Sequence, residues 1–207
     1  MKRVFENKEG TAFLDKCTFP NPELLRQCVF EMDPLLEERP EIIVYDKICK
    51  QHRYVGFFSD ESIGYKYSHK LMPSQPLSTN MLSLLASVNT LLGTEYNGML
   101  VNKYMDGNDY IGAHSDSEIG LDPVGVVALS YGAERKFRIR GKRDIKIVHE
   151  EPTTHCSLMH MGGTFQKLYT HEIPLQKKIK ESRTSITFRR HHIRPNLHMK
   201  PKLTTVS

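Results

Sequence analysis

The hydrophobic period of the chain changes at Gly93. Before it, Met81, Leu82, Leu84, Leu85, Val88, Leu91 and Leu92 form one apolar face over residues 78–92, and Gly93 stands where a left-handed cap ends a helix. After it come short strand-like runs at 99–104, 124–131, 136–140, 145–148, 157–159, 167–173 and 185–189. Residues 136–140 alternate Lys, Phe, Arg, Ile, Arg, so one face is apolar and the other basic. Upstream, Asn21-Pro22-Glu23 reads as a helix start, with Asn as cap, Pro at the first helical position and an acid in the first turn. Leu24, Leu25, Cys28, Val29 and Met32 continue it at helical spacing, whereas residues 1–20 show little periodicity and 42–45 are strand-like. Leading helices followed by many short strands specify an α+β fold, a β-sandwich or barrel buttressed by helices.

The chemistry-bearing residues fall in the strand-rich half. His114 and Asp116 are two apart, so on a strand both point to one face and can grip one ion. Two imidazoles and one carboxylate leave positions open on a non-haem Fe(II) centre. His155, His160 and His171 are all available as the second imidazole. Arg183 and Arg189 differ by an even number and share a face on an unbulged strand, with Ser185 and Thr187 between them. A guanidinium is a planar fork that matches a carboxylate, so this face suits a small dicarboxylic acid.

The run from Asn102 through Tyr104, Gly107 and Gly112 to His114-Ser-Asp116 and Glu118 resembles the central signature of the AlkB family of Fe(II)- and 2-oxoglutarate-dependent dioxygenases. Residues 129–137 resemble the strand after that motif, and Arg183-Thr-Ser185-Ile-Thr187-Phe188-Arg189 resembles the terminal signature. The resemblance covers roughly residues 40–192. It implies a double-stranded β-helix, or jelly-roll, with N-terminal helices against it and a nucleotide-recognition lid. It selects His171 as the third ligand, from its place before Glu172-Ile173-Pro174 and its distance to Arg183. Fe(II) would then sit on His114, Asp116 and His171. 2-oxoglutarate would be held by Arg183 at its distal carboxylate, with Arg189 near the metal end and Asn102, Tyr104 and Ser185 as polar partners. With O2, the implied reaction oxidises an N-methyl group on a base such as 1-methyladenine or 3-methylcytosine. It releases formaldehyde, succinate and CO2. Two departures stand out: Thr170 precedes His171 where the family has an aromatic, and Ser185 stands where Asn is frequent.

The same resemblance divides the chain into an N-terminal extension with one helix (1–40), a dioxygenase domain (41–192) and a flexible basic tail (193–207). Residues 49–76, rich in aromatics and lysine, would be the lid. Tyr65 and Tyr67 share a face there, Tyr67 being the stacking candidate, with Phe57 or Phe58 filling the gap left by a flipped base. Glu118 would touch the base and Arg135 would lie near the pocket. Arg138 and Arg140, with Lys136, Lys142 and Arg143, would grip phosphates without reading sequence.

Composition agrees with that partner. Residues 1–100 carry 11 Lys/Arg against 13 Asp/Glu, while 101–207 carry 18 against 11. The excess of positive charge in the second half favours a polyanion, DNA or RNA carrying alkylated bases. At 207 residues the chain has room for one core, and it has no run of 18 apolar residues for a membrane span. The start lacks the apolar stretch of a signal peptide, and four scattered cysteines without a Cys-x-x-Cys pair fit a reduced compartment. The expectation is an intracellular monomer, nuclear or cytoplasmic and not secreted. Two other readings remain: a dioxygenase of the same kind acting on protein or lipid, and a non-catalytic nucleic-acid-binding module.

Overall fold

The structure, a computed structural model, describes residues 1–44, 47–67, 70–116 and 125–191. Strands β1 (Lys2–Glu6) and β2 (Ala12–Thr18) precede helix α1 (Pro22–Met32). Strands β3 (Glu41–Val44), β4 (Lys47–Lys50), β5 (Tyr54–Phe58), β6 (Gly64–Tyr67) and β7 (Lys70–Pro73) lead to helix α2 (Thr79–Leu92). Then follow β8 (Gly98–Tyr104), β9 (Ile111–His114), β10 (Val126–Gly132), β11 (Lys136–Gly141), β12 (Ile147–Pro152) and β13 (Ser157–Gly163). A single helical turn, α3 (Phe165–Leu168), introduces β14 (Tyr169–Ile173), and β15 (Arg183–Arg189) closes the series.

Two sheets face each other. The larger has the order β1-β2-β13-β10-β15-β8-β5, and the smaller the order β12-β11-β14-β9. Hairpins β3–β4 and β6–β7 form two further two-stranded sheets. All strand pairings between these elements are antiparallel. This is the α+β, helix-buttressed β-sandwich that the period change predicts, and its antiparallel sheets are consistent with the jelly-roll that the resemblance implies.

The helices form as their ends dictate. Asn21 accepts a hydrogen bond from Leu24 N at 3.1 Å, and Ser78 accepts one from Met81 N at 3.2 Å. Gly93 ends α2 at φ 63°, a left-handed conformation that glycine adopts without strain. Leu25, Cys28 and Met32 of α1, with Met81, Leu84 and Val88 of α2, bury against one face of the large sheet. That face supplies Met99, Val101, Val127, Leu129, Leu158, Ile186 and Phe188. The pleat then sends the alternate residues of β8, β10 and β15 to the other face, towards the small sheet. Register carries the pattern across strands: Arg183 pairs with Tyr104, Ser185 with Asn102 and Ser130, and Thr187 with Leu100 and Ala128. Directly paired residues share a face, so one patch of the sandwich interior is polar. Beside it lies an apolar cluster containing Leu14, Val126, Phe137, Ile139, Met159 and Phe165.

Several elements depart from the sequence reading. Residues 1–20, where periodicity is weak, form β1 and β2; β2 pairs with β13, and α1 enters the core, so residues 1–40 belong to the same sandwich. Strand β5, inside the expected lid, is the edge of the large sheet and pairs with β8. Phe57 and Phe58 are fully buried there and cannot fill a gap in a base stack. Strand β12 begins at Ile147, because Ile145 takes φ 58° in the preceding turn. The expected tail, residues 193–207, lies outside the described residues, as does Glu118.

Candidate active site

Three elements bring the metal-type donors together. His114 ends β9, and His171 of β14 lies directly across from it, with ring centroids 4.4 Å apart. Asp116 lies two residues past the end of β9, not on the strand that the sequence spacing implies, and it is buried beside the two imidazoles. Donor atoms of His114, Asp116 and His171 all lie within 4.8 Å of one another. The Gly112 carbonyl can only accept, so His114 Nδ1, 2.8 Å away, carries the proton and Nε2 keeps its lone pair. Burial pushes His114 below the ordinary imidazole value and His171 down to about 3. Burial would raise Asp116, but Arg189 and the neighbouring imidazoles outweigh it and hold the carboxyl at about 2. Two neutral imidazoles and one carboxylate, all deprotonated at neutral pH, are the donor set Fe(II) takes while keeping positions open. Among the described residues, His171 Nδ1 is buried without a hydrogen-bond partner, and its ring stacks on Phe137 at 5.1 Å. Phe137 and Phe165 supply the aromatic packing that Thr170 does not.

The polar patch of the large sheet faces these donors across a cavity of about 50 Å³. Arg183 and Arg189, six residues apart on β15, are only 2% and 0% exposed. Arg189 donates to Asp116 Oδ1 at 3.1 Å and lies 5.0 Å over the Tyr65 ring. Arg183 donates from Nη2 to Ser130 Oγ at 2.8 Å, while its Nε and Nη1 have no hydrogen-bond partner among the described residues. Burial lowers Arg183 to about 10, against the opposing pull of Tyr104, so it is still charged at neutral pH. A buried charge with unused donors is costly unless something completes it. Asn102, Tyr104, Ser185 and Thr187 line the same cavity, and Arg53 braces Asn102 with a 2.7 Å bond from Nε to Oδ1. An open groove of about 460 Å³ beside Tyr96 and Arg190 holds none of these residues. The chemistry therefore belongs to the tighter cavity, where water is scarce and charges interact strongly.

Other sequence candidates are placed differently. Tyr65 lines the cavity. The backbone of Tyr67 belongs to β6, but its side chain lies outside the described residues. Arg135 is 1% exposed and donates to the carbonyls of Asp106, Asp109 and Pro174 at 2.8–3.0 Å. It clamps loops together and does not line the cavity. Arg138 binds Glu150 at 2.6 Å and Glu172 at 3.0 Å, and Arg140 binds Glu172 at 2.9 Å. Within the expected phosphate stripe, Arg138 and Arg140 are thus paired with acids on β12 and β14.

Sequence reasoning missed three supports. Ser130 pairs with Ser185 and meets Arg183, and only the strand register reveals it. Gln166, on α3, accepts from Asp116 N at 2.9 Å and holds the metal-carboxylate loop. Arg53 was legible only as one basic residue of the lid segment.

The signature of the 2OG-Fe(II) oxygenase superfamily spans residues 21–189, and the chain belongs to that superfamily. It is an AlkB-like Fe(II)- and 2-oxoglutarate-dependent dioxygenase that carries the His114, Asp116, His171 set and requires Fe(II), 2-oxoglutarate and O2. It is 27% identical over 177 residues to the DNA oxidative demethylase ALKBH2 of Homo sapiens, covering 81% of this chain and 67% of that protein. It is 29% identical over 191 residues to the alpha-ketoglutarate-dependent dioxygenase alkB homolog 3 of Rattus norvegicus, covering 84% of this chain and 63% of that one. The chain therefore spans about two thirds of the length of these relatives. The solved structure of OsALKBH1 shares the fold, with a TM-score of 0.56 at 15% identity over 86% of this chain and 97% of that chain.

Proposed function

We propose that this chain oxidatively demethylates N-alkylated bases in DNA or RNA, with 1-methyladenine and 3-methylcytosine as representative substrates. His114, Asp116 and His171 hold Fe(II). With 2-oxoglutarate and O2, the bound iron supplies the oxidising power, and the co-substrate leaves as succinate and CO2. The protein's own residues position and desolvate. Arg183 takes the distal carboxylate with its two unused donors, and Asn102, Tyr104 and Ser185 fix the remainder of the molecule. Arg189 keeps Asp116 ionised and aimed at the metal. Phe137 and Phe165 keep water from His171.

The observation that carries this reading is the Arg183 guanidinium, buried with Nε and Nη1 unpartnered, in one cavity with the metal-type triad. The nucleic-acid part rests on the likeness to ALKBH2 and on the hairpin residues Ile42, Tyr65 and Met72, which line the cavity or the slot beside it. Ile48 and Ile63, exposed at 72% and 85%, and the exposed Lys47 and Lys50 offer apolar and cationic contacts to an opened strand. Residues 41–192, with the lid segment 49–76 among the substrate contacts, would form the catalytic unit, completed by β1, β2 and α1.

The compensated stripe at Arg138 and Arg140 favours a second reading, a protein substrate that needs no phosphate grip. The test is formaldehyde and succinate release from a 3-methylcytosine oligonucleotide by the Fe(II)-loaded protein, beside a His114→Ala/Asp116→Ala variant. Formaldehyde from the wild type alone supports the demethylase. Succinate without formaldehyde moves the search to the protein substrate.

A further inference from the structure

Asp116 stands past the end of β9, so side chains rather than a strand ladder aim its carboxylate. Gln166 accepts from its backbone N, and Arg189 donates to Oδ1 at 3.1 Å. Oδ2 lies 3.5 Å from His171 Nε2 and is the oxygen left for a metal. Which oxygen is presented therefore depends on where the Arg189 guanidinium rests. That guanidinium, in a side chain with 0% exposure, lies 5.0 Å from the centroid of the Tyr65 ring. Tyr65 belongs to β6 and pairs with Met72 of β7, and this hairpin is a two-stranded sheet of its own. Its inward face is seated on the large sheet, where Tyr65 and Met72 pack with Val55, Phe57 and Leu100. Phe57 stacks on the Tyr65 ring at 6.0 Å. Contacts thus run unbroken from the hairpin to the ring, the guanidinium and the carboxylate.

We propose that Tyr65 is a positioning residue for the metal carboxylate, acting through Arg189. This differs from the base contact that the resemblance implies for Tyr65. It needs only the Fe(II) chemistry of the superfamily, whatever the substrate. The face of an aromatic ring is electronegative and attracts a cation within about 6 Å, most strongly where water is absent. The Tyr65 ring also covers the guanidinium on the hairpin side, so the Arg189–Asp116 pair is not screened by solvent. Without the ring, the guanidinium gains water and rotamers, and Asp116 Oδ1 loses a fixed donor. The face of the ring carries the effect, and its hydroxyl does not. Metal affinity and the seating of the hairpin are therefore coupled: a hairpin that lifts takes the ring off Arg189 and loosens the carboxylate.

The experiment titrates Mn(II) into the full chain, without co-substrate or oligonucleotide, and reads Kd from the paramagnetic resonance of the free ion. Tyr65→Leu keeps the apolar burial and removes the ring, so Kd should rise about tenfold. Tyr65→Phe keeps the ring face and should stay within about twofold of the wild type. In an Arg189→Gln background, Tyr65→Leu should change Kd by less than about twofold, because the guanidinium it acts through is gone. A role confined to stacking on a base would leave all these constants unmoved. A role confined to packing would lower the melting temperature, and any effect on Kd would persist in the Arg189→Gln background. Pentafluorophenylalanine at position 65 keeps the shape of the ring and reverses the charge of its face. It should raise Kd relative to Tyr65→Phe, and it stands in if Tyr65→Leu does not melt cooperatively. An unmoved Kd in folded Tyr65→Leu, an equal rise in Tyr65→Phe, or a full effect without Arg189 overturns the inference.

Discussion

Replacing Arg183 by methionine should weaken co-substrate binding while leaving the ligand-free fold intact or firmer. Arg183 is 2% exposed; its Nη2 donates to Ser130, and the guanidinium lies 5.5 Å from the Tyr104 ring centroid. Its Nε and Nη1 are left for a carboxylate. Two charge-assisted hydrogen bonds of about 1.5–3 kcal/mol each give roughly 3–6 kcal/mol of binding. Losing them raises the 2-oxoglutarate Kd by about 100- to 10,000-fold. In the empty protein the same substitution removes a desolvated charge and keeps much of the volume, so the ligand-free fold should be no less stable. Thermal melting with Mn(II) in place of iron separates the two effects. Co-substrate at a hundred times the wild-type Kd adds about 2.7 kcal/mol, a rise of about 5–11 °C for a domain of this size. At that concentration the methionine variant should move by about 1 °C or less, from a starting Tm at or above that of the wild type. A full ligand shift in the variant would refute the assignment of those donors. A starting Tm lowered by about 5 °C would show that the guanidinium stabilises the empty fold instead.

Further expectations concern the surroundings. Gln166→Ala frees Asp116 N and should raise the Mn(II) dissociation constant about 10-fold or more, with Gln166→Glu, which keeps the acceptor, restoring much of it; metal titration checks this. Arg138→Gln/Arg140→Gln should change the salt dependence of oligonucleotide binding by less than one charge's worth, because Glu150 and Glu172 already neutralise the pair; a slope reduced by about two would contradict this. The metal-free protein should lose stability as pH falls from 7.5 to 5.5. Buried His171, lowered to about 3, refuses the proton that the unfolded chain takes up at the ordinary histidine value, so its contribution is complete above that value and declines below it. The loss is up to about 1.4 kcal/mol per pH unit for this group, and His171→Asn should flatten the urea-midpoint profile.

What the sequence made legible was local. Asn21-Pro22 and Ser78…Gly93 announce the ends of two helices because caps depend on neighbours a few residues away. Arg183 and Arg189 are legible because strand alternation is also local, whereas β9 stops at His114 and Asp116 was legible only from its place in the His-x-Asp motif. The fate of Arg138 and Arg140 was hidden because Glu150 and Glu172 reach them only through the pairing of β11 with β12 and β14. The same holds for β2, whose partner β13 lies some 140 residues away, and for β5, whose aromatics and lysine-rich surroundings disguise a buried sheet edge. Arg135 illustrates the limit most plainly: its carbonyl partners come from loops that no periodicity describes.

Strand β15 has a consequence for how this protein tolerates change. Its odd-numbered residues, from Arg183 to Arg189, look to the cavity, while Ile186 and Phe188 look to the helices. Saturation mutagenesis across the strand should therefore split by parity. Substitutions at even positions should deplete cellular abundance, Phe188→Ala by way of about 3–5 kcal/mol of lost packing. Substitutions at Arg183, Ser185 and Thr187 should leave abundance largely intact and silence turnover, whereas those at Arg189 also leave buried Asp116 without its cation. A single inserted residue ahead of Arg183 would exchange the two sets, sending guanidinium groups into the helix interface and a phenyl ring towards the metal. Insertions and deletions here should be tolerated in pairs before they are tolerated singly.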